Sequence, residues 1–443
     1  MPGRLYLDRK ICREVLTVAV GQGLAVAGVL FGIRVLSTLL RPNVYGQVAL
    51  AMTIAALVTS AAAGPVGNAA GRLYSPALEH NRPIELWQAT RRFFFEIHLG
   101  VLVLGIAVLA CVALLVDRAW VPFGVLVLAT SLLGGANVVL DSLQNAARHR
   151  GIVAWHQACG QWGRGVFAMF LVYHWGPTGS NVLCGYLTAA GLVFASQMTI
   201  WRSTLSRLTV FQRGVDPGST ALVHEMRKYG LPFAAWGAIA WLQQNSDRWF
   251  LVALTDIKEV GVYQILYQLG YYPLALLSGL VGQLLGPVLF GRAGDGNDPA
   301  RLLPVRRLVR RLGIHTLVGT FVMTIMASFS HRMIFALLVP QEYRAVSHFL
   351  PLVVLASGLF ATGQVLAFDA LIQMRSHALM APKIGCALLA TALNYVGALT
   401  AGLAGVVYAN VLSSAAYAAW IFALTLQPTY GYCPRVESAE LLH

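Results

Sequence analysis

Charge is what this sequence has least of. Asp, Glu, Lys and Arg make up 11% of its 443 residues and 57% are hydrophobic, whereas soluble chains carry roughly 25% charged residues. The apolar runs continue from end to end, which excludes a soluble enzyme held by one anchor. The six cysteines (Cys12, Cys111, Cys159, Cys184, Cys386 and Cys433) are scattered, with neither paired metal spacing nor a disulfide framework. There is no Gly-rich phosphate loop, no His or Cys metal set and no nucleophile elbow. There is no soluble domain to hold a nucleotide, so neither ATP-driven transport by this chain alone nor a cofactor is expected. The net charge of +14 lies between the apolar runs and reads as membrane topology, not nucleic-acid binding.

What is there is a series of membrane-length helices. Twelve stretches are long enough to cross ~30 Å of hydrocarbon: about 14–40, 45–71, 93–116, 120–146, 151–174, 180–201, 229–254, 259–290, 312–330, 346–373, 378–399 and 402–426. The first has no small-residue cleavage site and reads as a retained helix. The eighth is over-long, and a bend is expected near Pro273 or Pro287. With the N-terminus placed in the cytoplasm, the outer loops hold only Arg41, Arg118, Lys258, Arg332 and Arg344. Nearly all other cations fall on the inner side, so both termini are expected there.

The chain also repeats itself. Arg34 with Tyr45-Gly46 aligns with Arg248 and Gly261-Val262-Tyr263. Gly64-Pro65-Val66 aligns with Gly286-Pro287-Val288, Arg91-Arg92 with Arg310-Arg311, and Asp141 with Asp369. The offset drifts between 214 and 228 residues. Four matches in one order predict two six-helix lobes of like orientation. The expected division is 1–202, an inter-lobe linker at 203–228 acting as a hinge, 229–426, and a tail at 427–443.

Polar residues inside the spans are the functional candidates, because charge at membrane depth is costly and faces a protein interior or water. Arg34, Arg164 and Arg248 are expected to face one cavity, where the planar guanidinium suits a phosphate ligand. Arg72 and Arg292, at span ends, are expected to snorkel. Gln157, Gln161 and Arg164 share a helix face at i, i+4, i+7, as do Trp241, Asn245 and Arg248, and Asn137, Asp141 and Gln144. Gln264, Tyr267, Gln268 and Tyr271 form another stripe. Amides and aromatic faces together suit a sugar, so Gln157, Gln161, Trp241, Asn245, Gln264, Tyr267, Gln268 and Tyr271 are candidate sugar contacts. The acids Glu96, Asp141, Asp247 and Asp369 are candidates for ion coupling or gating. For Asp141 and Asp369 a latching salt bridge is the favoured reading. His98, His156 and His315 read as packing residues.

Three features carry a resemblance. The first span ends with Arg34, Leu40, Arg41, Pro42, Tyr45 and Gly46. The seventh carries Asn245-Ser246-Asp247-Arg248, followed by Val260-Gly261-Val262-Tyr263. The layout is two-lobed, with twelve helices. In these the chain resembles the polysaccharide-exporter flippases of the multidrug/oligosaccharidyl-lipid/polysaccharide exporter superfamily, which move undecaprenyl-pyrophosphate-linked oligosaccharides across the bacterial inner membrane. The resemblance implies an all-α polytopic protein of two pseudo-symmetric lobes, working by alternating access. It implies a cationic lumen for pyrophosphate and sugar, with Arg34 and Arg248 as lumen cations and the polyprenyl tail left in lipid. A proton or sodium gradient would supply the drive, and the partners would be membrane lipid, a polysaccharide polymerase and chain-length proteins. Replacing Arg34 or Arg248 by Ala is then expected to abolish transport without loss of folded protein.

Other readings compete. A drug antiporter of the same superfamily would use acidic and aromatic lumen residues rather than Arg. A major-facilitator sugar transporter would place an Asp-Arg pair where this chain reads GRLYSPALEHNRP. A polymerase or ligase would need a large outer loop, and the longest here, about 330–345, is small. The fourteen-helix peptidoglycan-precursor flippases carry two helices more, and a non-transporting scaffold leaves mid-membrane Arg unexplained.

Overall fold

A computed structural model describes residues 9–209, 219–271, 273–274, 286, 288–294 and 298–427. Among them every regular element is helical. In chain order these are α1 (Arg9–Leu39), α2 (Pro42–Leu57), a π-helical turn (Val58–Ala63), α3 (Gly64–Glu79), α4 (Pro83–Leu115), α5 (Val121–Ala146), α6 (Arg150–Trp175), α7 (Gly179–Thr209), α8 (Ser219–Gly230), α9 (Pro232–Leu254) and α10 (Ile257–Gly270). Then come α11 (Pro299–Leu338), α12 (Leu350–Ile372) and α13 (Met380–Leu426). Proline opens the first turn of α2, α3, α4, α5, α9, α11 and α12, where its missing N–H breaks no helical hydrogen bond. Asp298 caps α11 by accepting from the Ala300 amide at 2.9 Å.

Eight helical stretches among the described residues are long and apolar enough to cross a membrane, so the chain is a multi-pass membrane protein. α6 and α9, two of the helices that carry polar stripes, are not among them. The expected second span is the continuous run α2–π turn–α3, and the last two spans are the arms of α13. Those arms are separated where Ala401 and Gly402 leave helical geometry, Gly402 with φ +56°, a conformation open to glycine but strained for most side chains. The bend expected near Pro273 or Pro287 falls in a stretch that lies mostly outside the described residues, Pro287 included. The expected linker at 203–228 is largely helical: residues 203–209 continue α7, and 219–228 belong to α8, which packs on α3 and α4. There Met226 is fully buried and Arg227 pairs with Glu96 at 2.5 Å. Residues 210–218 and the tail beyond 427 lie outside the described residues.

α1 packs on α6, α6 and α5 on α7, α11 on α12, and α12 on α13, while α2 crosses to α10 and α9. The α2–α10 crossing is close because both helices present glycine: a Cβ on Gly46 would overlap the Ile257 carbonyl oxygen, and one on Gly261 the Pro42 carbonyl oxygen. Lipid tails are as apolar as Leu, so helix association in a bilayer depends on such close packing. Around this crossing the core gathers Ile33, Leu40, Tyr45, Leu251, Val260 and Tyr263. Tyr343, before α12, reaches over it to donate to the Leu40 carbonyl at 2.8 Å. A second cluster, with Val66, Tyr74, Phe93, Leu143, Trp201 and Met226, holds α3, α4, α5, α7 and α8 at the other end of the bundle.

Candidate functional site

Beneath the α2–α10 crossing lies a cavity of about 390 Å³, walled by α1, α2, α6, α7, α9 and α10. Small and aliphatic residues of α1 form one side, among them Gly28, Gly32 and Leu36. The polar wall is supplied by Gln161 and Arg164 of α6, Gln244, Asn245 and Arg248 of α9, and Gln264 and Gln268 of α10. Tyr45, Tyr186, Tyr267 and Tyr271 add aromatic surface, and Tyr267 and Tyr271 stack with centroids 4.6 Å apart and planes 14° from parallel.

The two cavity arginines differ in their compensation. Arg248 is 3% exposed and Asp247 2%. The Arg248 Nη1 donates to Asp247 Oδ1 at 3.0 Å, and its Nε to Gln264 Oε1 at 2.7 Å. Nη1 also reaches the Gln244 carbonyl at 3.1 Å. The guanidinium lies 4.2 Å over the Tyr267 ring, close enough for cation–π attraction. Asp247 in turn accepts from the Tyr263 hydroxyl at 2.5 Å, and Asn410 Nδ2 donates to that hydroxyl oxygen at 2.8 Å. Arg248 is therefore a neutralised, rigid corner of the wall. Arg164 is half-buried, sits 5.8 Å from the Tyr186 centroid, and has no carboxylate at ion-pair distance among the described residues. The uncompensated positive charge of the cavity is on Arg164.

The structure brings together Arg164, Arg248, Gln161, Asn245, Gln264, Tyr267, Gln268 and Tyr271 of the sequence candidates. Arg34 is not brought in. It is exposed on α1 and is not among the cavity residues of that helix, which are Gly28, Val29, Gly32, Ile33 and Leu36; Gly32 and Leu36 lie about 160° around the helix from it at ~100° per residue. Trp241 shares the stripe of Arg248 but is turned to α2, donating its indole N–H to the Thr53 carbonyl at 2.6 Å. Gln157 is also outside the cavity. It accepts from Gln22 at 2.8 Å and donates to Asp141 Oδ2 at 3.4 Å, a link within the first six helices.

Among the acids, Asp247 serves Arg248. Glu96 sits on the flank of α4, paired with Arg92 at 3.2 Å as well as with Arg227. Asp369 forms the expected salt bridge, with Arg306 through two bonds of 2.9 and 3.0 Å. Asp141 has no cationic partner among the described residues. Its carboxylate accepts from Gln197 Nε2 at 2.6 Å and from Gln157. The stripe of Asn137, Asp141 and Gln144 thus faces α7, where Asn137 donates to the Ala190 carbonyl at 3.1 Å and Gln144 to the Gln197 carbonyl at 3.4 Å. Arg72 and Arg292 are exposed, as snorkelling side chains are. His98, His156 and His315 each bond through Nδ1 to the carbonyl four residues back.

Sequence reasoning missed Tyr45, Tyr186 and Gln244 as wall residues. Tyr45 stood in a repeated Tyr/Gly pair and Gln244 in the Gln-Gln-Asn run before Arg248, so both had a signal. Tyr186 had none. Tyr45 is fixed by donating its hydroxyl proton to Gln268 Oε1 at 2.7 Å, a bond that ties α2 to α10 across the cavity.

Comparison with known proteins agrees with this architecture. The sequence pattern of a family described as polysaccharide biosynthesis protein matches residues 11–291. No curated protein sequence matches the chain. Among solved structures, the lipid II flippase MurJ in an inward closed conformation is similar at 12% identity and a TM-score of 0.71, covering 94% of this chain and 88% of that one. An inward-facing multidrug resistance MATE family transporter of the MOP superfamily shows 13% identity and a TM-score of 0.67, with coverage of 91% and 93%. The Vibrio cholerae MATE transporter VcmN in its bent form gives 12% identity and a TM-score of 0.57, with coverage of 94% and 100%. At such identities the likeness is one of fold. The family match spans well over half of the chain, which belongs to the polysaccharide biosynthesis protein family.

Proposed function

We propose that the protein is a flippase for undecaprenyl-pyrophosphate-linked oligosaccharides, acting in the bacterial inner membrane to supply a surface polysaccharide such as O-antigen, exopolysaccharide or capsule. The observation that carries the reading is the uncompensated Arg164 facing the Arg248–Gln264 corner across a cavity rich in amides and tyrosines. A guanidinium holds pyrophosphate oxygens by paired hydrogen bonds, and amide side chains replace the water lost by sugar hydroxyls. Without such replacement the oligosaccharide could not cross the hydrocarbon core. The lipid II flippase similarity supports a lipid-linked cargo.

In this proposal the two six-helix lobes rock about the cavity, with both termini in the cytoplasm, as the Lys/Arg bias indicates. The α2–α10 crossing then closes the outer end. A proton or sodium gradient drives the cycle, and Asp141, a carboxylate bound only by amides, is the acid best suited to take up the cation. Polysaccharide polymerase and chain-length proteins are the proposed partners.

The test is the sidedness of lipid-linked oligosaccharide in cells lacking the protein, probed in spheroplasts with a membrane-impermeant lectin. The expected result is cytoplasm-facing accumulation that the intact gene reverses and Arg164→Gln does not. Unchanged sidedness would reject the flippase reading in favour of a cation-coupled drug antiporter. Single repeat units stranded on the outer face would indicate a polymerase or ligase.

A further inference from the structure

A second large cavity lies away from the central one. It has a volume of about 940 Å³ and opens between α4, α5 and α7. Arg91 and Arg92, two turns into α4, and Arg202, two turns before the end of α7, bring three guanidinium groups to one end of the bundle. Phe94, Val139, Leu140, Phe194 and Met198 form the apolar remainder. Glu96 also lines the groove, but its carboxylate is engaged by Arg92 and Arg227. Arg91 and Arg202 are exposed and make no hydrogen bond or ion pair among the described residues. α4 is well placed to meet lipid, since only 6% of its apolar window is buried in the protein.

The sequence repeat supplies an internal comparison. The register that pairs Arg91-Arg92 with Arg310-Arg311 pairs Trp87, which lines the groove, with Arg306. In the second half Arg306 is spent on Asp369 and also donates to the Thr425 carbonyl at 2.9 Å, and Arg310 donates to the same carbonyl. The pocket left there, lined by Asp369, Thr425 and Gln427, is about 10 Å³. The second half ties Arg306 and Arg310 to its own acid and carbonyl groups and closes the seam. The first half leaves the seam open, with Arg91 and Arg202 unpaired above an apolar trough.

We propose that this groove is a binding site for an anionic phospholipid, with the headgroup phosphate on Arg91 and Arg202 and an acyl chain along Phe94, Leu140, Phe194 and Met198. The site carries net positive charge at the end of a lipid-facing helix, and basic side chains at that depth attract anionic headgroups. Guanidinium groups bind phosphate in paired hydrogen bonds.

The test uses the full-length protein purified in a non-ionic detergent with equal phosphatidylglycerol and phosphatidylcholine, and native mass spectrometry to count the lipids retained. Wild type is expected to retain phosphatidylglycerol in preference to phosphatidylcholine. The double variant Arg91→Gln/Arg202→Gln should bind phosphatidylglycerol roughly 30-fold more weakly, at about fivefold for each basic side chain. Arg91→Lys/Arg202→Lys should keep most of the preference. Equal retention of the two lipids by wild type, or unchanged binding by the Gln variant, would overturn the site. Displacement of phosphatidylglycerol by equimolar undecaprenyl phosphate would assign the groove to the polyprenyl lipid and overturn the phospholipid reading.

Discussion

Gly46 and Gly261 each press against the backbone of the helix that carries the other, Gly46 on the Ile257 carbonyl and Gly261 on the Pro42 carbonyl. The relationship is reciprocal, as the repeated Tyr/Gly pairs of the sequence are. It brings α2 and α10 into backbone contact and roofs the cavity. A methyl group at either position meets carbonyl oxygen, which cannot turn aside as a flexible side chain can.

Gly261→Ala should therefore force α2 and α10 apart. Overpacking of this kind costs about 1–3 kcal/mol. In a cysteine-depleted background with nitroxides at Asn43→Cys and Lys258→Cys, electron–electron resonance should show a longer distance gaining population. An unchanged distance distribution together with unchanged thermal stability would mean that the crossing is looser than the geometry indicates.

Arg248→Ala should lower stability as well as transport. It strands a buried Asp247 that is already bonded to Tyr263, and losing one partner of a buried ion pair costs about 3–5 kcal/mol. This revises the expectation that the variant would remain fully folded. Adding Asp247→Asn should recover a substantial part of the loss, measured by thermal unfolding of the purified variants. A double variant no more stable than Arg248→Ala would show that the pair is not the source of the defect.

Arg164→Gln and Arg34→Ala separate a cavity cation from one on the opposite face of its helix. Arg164→Gln should leave the fold intact, because its side chain makes no ion pair, yet block export of lipid-linked oligosaccharide at least tenfold, the equivalent of one lost charge-assisted hydrogen bond at about 1.5–3 kcal/mol. Arg34→Ala should export normally in the same lectin assay. Equal defects in the two variants would place both cations in the transport path and contradict the cavity described here.

Asp141→Asn should keep both amide partners once the Gln197 amide turns over: the asparagine Oδ1 accepts from Gln157 Nε2, and its Nδ2 donates to Gln197 Oε1, a buried oxygen with no partner among the described residues of the wild type. The variant should fold normally and still bind cargo, but its transport into vesicles should no longer respond to an imposed proton or sodium gradient. Retained gradient dependence would remove Asp141 from the coupling proposal.

How far the site was legible can be followed through single residues. Gln161 and Arg164, and Asn245 and Arg248, were readable as pairs on one helix face, because the 3.6-residue period fixes which side chains share a face. Trp241 lies on the same stripe and was misplaced: periodicity does not say where along its length a helix stops facing a cavity and starts packing on a neighbour. Arg34 was misplaced for a related reason. In a membrane both the lipid-facing and the protein-facing sides of a helix are apolar, so hydropathy left the inner face of α1 unmarked.

By itself the sequence determined that the chain is a bundle of membrane helices, where most of them begin and end, and which spans carry polar side chains. Those are local consequences of hydropathy, proline and helical period. Tertiary structure decided that Arg248 is neutralised by Asp247, that Arg164 is not, that Asp369 pairs with Arg306 while Asp141 meets only amides, and that one flank remains open beside Arg91 and Arg202. Each depends on which helices meet and at what height, and that is set by close packing between segments far apart in the chain.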